Sequence, residues 1–246
     1  MRARSIAALT AAVAALSLGS AASAAPPMRS YEVTITNLTG GQPLTPPVVA
    51  THRNAYDAFD VGSAASVGIQ QIAENGNGGP LLDELAASSH VSASLETTTG
   101  PLVPEGTPGS AMFAEAVTFT IDAASGANRI SFVSMLICTN DGFTGADGLK
   151  LPAQVGGSTS ASFNAYDAGT ENNTEDLADM VPPCQGLIGV ADDNGDPGTG
   201  QTNPALAEGG VIHHHLGIQG GADLDPGIHG WDTEAPVAHI AIQRVA

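Results

Sequence analysis

The chain has 246 residues, 42% of them hydrophobic but only 13% charged, and a formal net charge of -18. So acidic a surface argues against nucleic acid and anionic lipid as partners, because it repels phosphate; divalent cations would screen it, although simple solubility is the plainer use of such charge. The length suits one large β-domain or two small ones, and no fixed-period repeat or long Pro/Ser-rich linker divides it.

Arg2 and Arg4, the Ala/Leu-rich run of residues 6–18 and the small-residue motif Ala22-Ser23-Ala24 form a secretory leader, with cleavage expected after Ala24. That run is shorter than the roughly 20 residues of a membrane-spanning helix, and no later stretch could span a bilayer. No Cys follows the motif, so no lipid-modified terminus is expected. Removing the leader leaves five basic against 25 acidic residues, a net charge of -20. The expected product is secreted or periplasmic and does not insert into membranes. Residues 25–246 are expected to form one β-domain with a loop-rich segment at about 185–231.

Tyr31-Glu32-Val33-Thr34-Ile35-Thr36-Asn37 alternates apolar and polar residues and predicts an opening strand that runs into the Gly40-Gly41 turn. After a stiff Pro43 to Pro47 loop, Val48-Val49-Ala50-Thr51-His52 reads as a short buried strand. The period then changes. Residues 64–74, with Ser63 as cap, and 81–87 carry apolar residues three and four apart and predict short helices over one edge or end of the sheets. The β pattern returns at Ala116-Val117-Thr118-Phe119-Thr120-Ile121, continues in a central strand from Arg129 to Cys138, and recurs at residues 158–166. Residues 239–245 predict a closing strand. Between Cys184 and Trp231 the chain is Gly/Asp/Pro-rich and expected to be mostly loop.

Two cysteines in an exported chain favour a Cys138–Cys184 bridge, closing a loop of about 45 residues; two unpaired thiols are the alternative. Neither lies in a Cys-x-x-Cys pair, so redox catalysis has no support.

Three constellations carry chemistry. The central strand ends in Thr139-Asn140-Asp141-Gly142, and a later strand ends in Tyr166-Asp167-Ala168-Gly169-Thr170-Glu171. Asp141, Asp167 and Glu171 can converge if their strands are neighbours in one sheet, and an all-oxygen set at strand ends suits Ca²⁺, which takes six to eight oxygens. Solvated surface turns are the bland alternative. Asp192-Asp193-Asn194-Gly195-Asp196 opens like a Ca²⁺ loop, but Pro197 stands where Gly is needed and Asn203 where a bidentate Glu is needed. His213 and His215 would share one face of a strand, and with His52 or His229 could bind Zn²⁺ or Cu²⁺ for hydrolysis; against this, three adjacent His cannot all face one ion from an extended chain. No Gly-x-Ser-x-Gly elbow occurs.

The segments 130–135, 140–145 and 166–171, with the tail from Trp231-Asp232 through residues 236–244, resemble the spondin N-terminal domain family. That resemblance implies an all-β fold, a C2-like antiparallel β-sandwich, here with short helices covering one edge. It also implies an extracellular matrix or adhesion setting and Ca²⁺ held by Asp141, Asp167 and Glu171. Glu171 stands where animal members are expected to carry Asp, and Gly142 replaces an aromatic residue. The expectation is a secreted, non-enzymatic, calcium-binding module for an extracellular or envelope protein or a glycan. A His213/His215 metalloenzyme is the alternative.

Overall fold

The computed structural model describes residues 27–246, so the expected leader and its cleavage after Ala24 lie outside the described residues. In chain order the strands are β1 (Arg29–Asn37), β2 (Val48–His52), β3 (Val91–Glu96), β4 (Ala116–Ala123), β5 (Arg129–Met135), β6 (Gly142–Lys150), β7 (Ser158–Phe163), β8 (Ala165–Asp167), β9 (His213–His214) and β10 (Ala238–Arg244). The helices are α1 (Val67–Asn75), α2 (Gly79–Ala87), α3 (Pro183–Ile188) and α4 (Pro226–His229).

Alternation decides the first sheet. A period of two sends successive side chains to opposite faces, so Tyr31, Val33 and Ile35 of β1 are all buried together. β1 pairs antiparallel with β4 on one side and β10 on the other, setting Val33 between Phe119 and Ile242, and β7 completes the order β4-β1-β10-β7. The second sheet runs β3-β2-β5-β6-β8-β9, also antiparallel throughout. Ile35, Val117 and Ile240 of the first sheet meet Val49, Ile130 and Phe132 of the second in a shared core, so the fold is an all-β sandwich. Phe132 and Phe163 meet edge to face across it, with ring centroids 5.8 Å apart.

β2 is buried at every position because both of its faces are covered. Val49 points into the sandwich, while Val48 and Ala50 join Val133 and Phe143 against Ile69 and Ile72 of α1 and Leu81 and Leu85 of α2. The helices therefore cover an outer face of the six-stranded sheet rather than one edge. Their amphipathic spacing dictates this, since residues three and four apart need a flat apolar partner. The cap of α1 is Ser66 and not Ser63: its hydroxyl accepts the Ile69 N–H at 3.2 Å and is itself held by Glu84 at 2.8 Å.

Three features bear on the site. Residues 158–166 do not form one strand; the chain leaves the first sheet at Phe163, opposite Ala238, and enters the second at Ala165, opposite Thr144. β5 ends at Met135, and Gly142–Lys150 returns beside it as a full strand, so Asp141 lies in a hairpin turn. Cys138 and Cys184 are bridged, with Cα atoms 5.2 Å apart, at the heart of a cluster with Ile137, Leu177, Met180 and Leu187. The region 185–231 is mostly irregular chain apart from α3, the two-residue β9 and the single turn α4. No helix among the described residues is long and apolar enough to cross a membrane.

Candidate metal centre

The hairpin turn between β5 and β6 is built by Thr139. Its hydroxyl donates to the Leu136 carbonyl at 2.7 Å and accepts the Gly142 N–H at 2.9 Å. A side chain at residue 142 would run into Thr139 and come within 3.1 Å of the His215 ring. The Gly at this position is thus matched by an imidazole arriving from the far end of the chain. β6 then pairs with β8, setting Gly142 opposite Asp167 and so bringing Asp141 and Asp167 to one rim of the second sheet.

Both carboxylates are buried, Asp141 at 0% and Asp167 at 1% exposure. Asp141 Oδ2 accepts the Thr170 N–H at 2.7 Å, the Thr170 hydroxyl at 3.1 Å and the Glu171 N–H at 3.0 Å. Its Oδ1 is enclosed without any hydrogen-bond partner. Asp167 Oδ1 accepts the Gly169 N–H at 2.8 Å and Oδ2 accepts Asn173 Nδ2 at 2.6 Å. Burial, and next the charge of Asp167, push the Asp141 carboxyl up to about 6 in spite of the three donors on its other oxygen. Among the described residues no Lys or Arg is paired with either group; the one contact with a basic side chain sets His213 Nε2 3.7 Å from Asp167 Oδ1, an ion pair only when the imidazole is protonated.

The structure brings Asp141 and Asp167 together and adds the main chain of Glu171, but the Glu171 carboxylate turns elsewhere. Its Oε1 accepts the Asn203 N–H at 2.7 Å. Burial, followed by repulsion from Glu74, Asp141 and Asp179, pushes it up to about 7. Glu171 thus links the Asp141 turn to a second crowd of carboxylates around Glu74, which is itself buried and bonded to Thr202.

Glu208, which sequence reasoning missed, and His213, which it grouped with His215, come from the strap at 207–215. It lies antiparallel to the Asp167–Glu171 turn through the Glu171–Ala207 bridge, the Gly210 N–H to Gly169 carbonyl bond at 2.7 Å and the pairing of β9 with β8. Gly169 has φ +69°, and a side chain there would meet the Val211 backbone, so only glycine lets the strap close. One ligating atom from each of Asp167, Glu208 and His213 lies within 4.8 Å of the other two. A short strap of mixed composition has no periodicity from which its partner strand could be read.

The other two constellations resolve differently. Asp192 Oδ1 accepts the N–H groups of Asn194 at 2.9 Å and Asp196 at 2.8 Å, so this loop is closed by its own aspartate. Asp192 also groups with Asp176 and Asp223, within 4.8 Å. The histidines do not assemble. His215 Nδ1 accepts the Gly217 N–H at 3.0 Å and its ring packs on Trp231; burial first of all lowers it to about 4. His52 is bonded to Ser131 on β5 at 2.8 Å, with three strands between β2 and β9. His229 Nδ1 accepts the Asp225 N–H at 2.9 Å. Among the described residues no group of three or more mutually close ligating residues contains two histidines, which removes the geometric basis of a three-imidazole hydrolytic centre.

A disulfide-tied all-β sandwich with buried acidic groups at one rim belongs to the class of extracellular-type modules. Residues 42–181, more than half of the chain, match the model of the Spondin_N family. The chain belongs to the spondin N-terminal domain family, a family of non-catalytic modules. No curated protein matches the chain. The matched region ends before the strap, before α3 and before β10, which nevertheless lies in the middle of the first sheet between β1 and β7.

Proposed function

We propose that the protein is a secreted or periplasmic binding module, without enzymatic activity, that takes up Ca²⁺ at the rim where Asp141 and Asp167 meet and where Glu171 joins the turn. The ion neutralises the crowded carboxylates and orders the turns 139–142 and 167–171, so that attachment to an extracellular or envelope protein or a glycan becomes calcium-dependent. The observation that carries this reading is Asp141 Oδ1, an acceptor sealed from water, without a donor and beside a second buried carboxylate. An uncompensated buried charge is costly, and a hard cation with oxygen ligands is the partner such a group fits. In this reading Asp141 and Asp167 each supply a carboxylate oxygen, and Glu171 supplies one after its carboxylate leaves Asn203.

Calorimetric titration of Ca²⁺ into the chelator-treated protein and into the Asp167→Ala variant tests this. Binding in the first and none in the second is expected, with a melting temperature that rises with Ca²⁺ only in the wild type, since a ligand specific for the folded state stabilises it by mass action. Equal isotherms, or a melting temperature indifferent to both Ca²⁺ and chelator, would remove the site.

A further inference from the structure

The strap holds chemistry that the calcium reading does not use. Glu208 reaches the rim because its N–H donates to the Thr170 carbonyl at 3.1 Å, and His213 because it pairs with Asp167 across β8 and β9. His213 Nδ1 lies 3.0 Å from the His214 carbonyl oxygen. A carbonyl oxygen only accepts, so Nδ1 carries the proton and, in the neutral ring, Nε2 carries a lone pair. It is this Nε2 that stands 3.7 Å from Asp167 Oδ1, itself an acceptor. A proton or a metal between these two acceptors would satisfy both. Asp167 is held in place for either by Asn173 Nδ2 on its other oxygen, at 2.6 Å. Ligating imidazoles are oriented in the same manner, by an N–H to a carbonyl on the far nitrogen.

We infer that His213 Nε2, Asp167 and Glu208 form a mixed nitrogen and oxygen site for a borderline divalent transition-metal ion of the Zn²⁺ kind. Imidazole prefers such ions, whereas Ca²⁺ takes oxygens. The site rests on the proposed calcium site only through the shared Asp167, so the two ions compete for one carboxylate. Three protein ligands leave coordination positions open, and the His213 side chain is 42% exposed. The fourth ligand is therefore water or a donor atom from a partner that docks over the strap. Glu208 and His213 lie beyond the matched residues 42–181, whereas Asp167 lies within them.

The test uses the untagged protein, stripped of metal by chelator and titrated with Zn²⁺ by calorimetry and with Co²⁺ by visible absorption. His213→Gln and Glu208→Gln are each expected to weaken Zn²⁺ binding tenfold or more, and His213→Gln to bleach the nitrogen-dependent Co²⁺ bands. His214→Gln, one residue away on the opposite face, is expected to change neither. Melting temperatures within a few degrees of wild type establish that the variants fold. Zn²⁺ isotherms that are the same in wild type, His213→Gln and Glu208→Gln would overturn the site and leave a His213–Asp167 ion pair. Asp141→Asn separates the two readings: loss of Ca²⁺ binding with Zn²⁺ retained supports both, and Zn²⁺ without Ca²⁺ binding in the wild type overturns the calcium site alone.

Discussion

Two acidic turns of this molecule are alike in composition and opposite in physics. Asp167 to Glu171 closes over Asp141 and leaves a buried oxygen without a partner, whereas Asp192 to Asp196 folds around its own carboxylate, with Asp192 Oδ1 accepting two backbone N–H groups. The two turns are also covered differently. A β-strand pair and a strap enclose the first; the residues from Asp193 to Asp196 are exposed. Asp192 is buried too, so what separates the turns is the donors: Asp141 Oδ1 has none, whereas Asp192 Oδ1 has two.

The sharpest way to break this contrast is through the glycine in each turn. Gly169 and Gly195 both have positive φ, +69° and +77°. A left-handed alanine costs about 1 to 2 kcal/mol by itself. At residue 195 an added Cβ meets nothing, so Gly195→Ala is expected to cost that amount and no more. At residue 169 the Cβ also meets the Val211 backbone within 3 Å, so Gly169→Ala is expected to cost about 3 kcal/mol or more, displace the strap and abolish metal binding. Urea unfolding of the two variants decides it; equal losses would show that the strap does not press on the rim.

The disulfide ties the two regions, since Cys138 begins the hairpin that ends in Asp141 and Cys184 lies in α3, which leads to Asp192. Replacing both by Ala opens a closure of 46 residues and is expected to cost about 2 to 4 kcal/mol. The melting temperature checks it. Ca²⁺ should recover part of the loss, because the ion orders the hairpin that the bridge otherwise restrains.

Alternation made the sandwich readable at Tyr31, Val33 and Ile35, and again at Phe119 and Ile240, because half-covered strands must alternate. It failed at β6. Gly142, Gly145 and Gly148 look like turn residues, yet Gly145 lies mid-strand because a side chain there would strike the Phe132 carbonyl and approach Phe59. Asn164 hid the passage between sheets for a related reason: the alternation of residues 158–166 runs on unbroken while the backbone changes partner. At the rim, Asp141 and Asp167 were legible as strand-end carboxylates. The direction of the Glu171 side chain was not, since Asn203, which turns it, is 32 residues further along the chain.

In metal-free protein the rim should also show in the pH dependence of stability. Asp141 moves from an ordinary 3.8 up to about 6, and Glu171 from 4.5 up to about 7. As pH rises from 4 to 7 the unfolded chain releases protons that the folded chain retains, so these groups lower stability as pH rises. His215, lowered to about 4, acts in the opposite sense below 6.5, where only the unfolded imidazole takes up a proton. The difference between wild type and Asp141→Asn isolates the first effect. The variant should match wild type at pH 4 and exceed it by up to about 3 kcal/mol at pH 7.5 in chelator, a two-unit shift being worth about that much. Added Ca²⁺ should reverse the order. A difference independent of pH would mean that Asp141 is not held against its charge.

The smallest expected effect concerns the other turn. Asp192→Ala removes the acceptor for the Asn194 and Asp196 N–H groups, which can turn to water because both residues are exposed. A lost side-chain cap of this kind costs about 1 kcal/mol. Ca²⁺ affinity at the rim should stay unchanged in that variant. A Ca²⁺ isotherm altered by Asp192→Ala, with Asp167→Ala silent, would exchange the roles of the two turns and make the missing donor the wrong criterion for choosing between them.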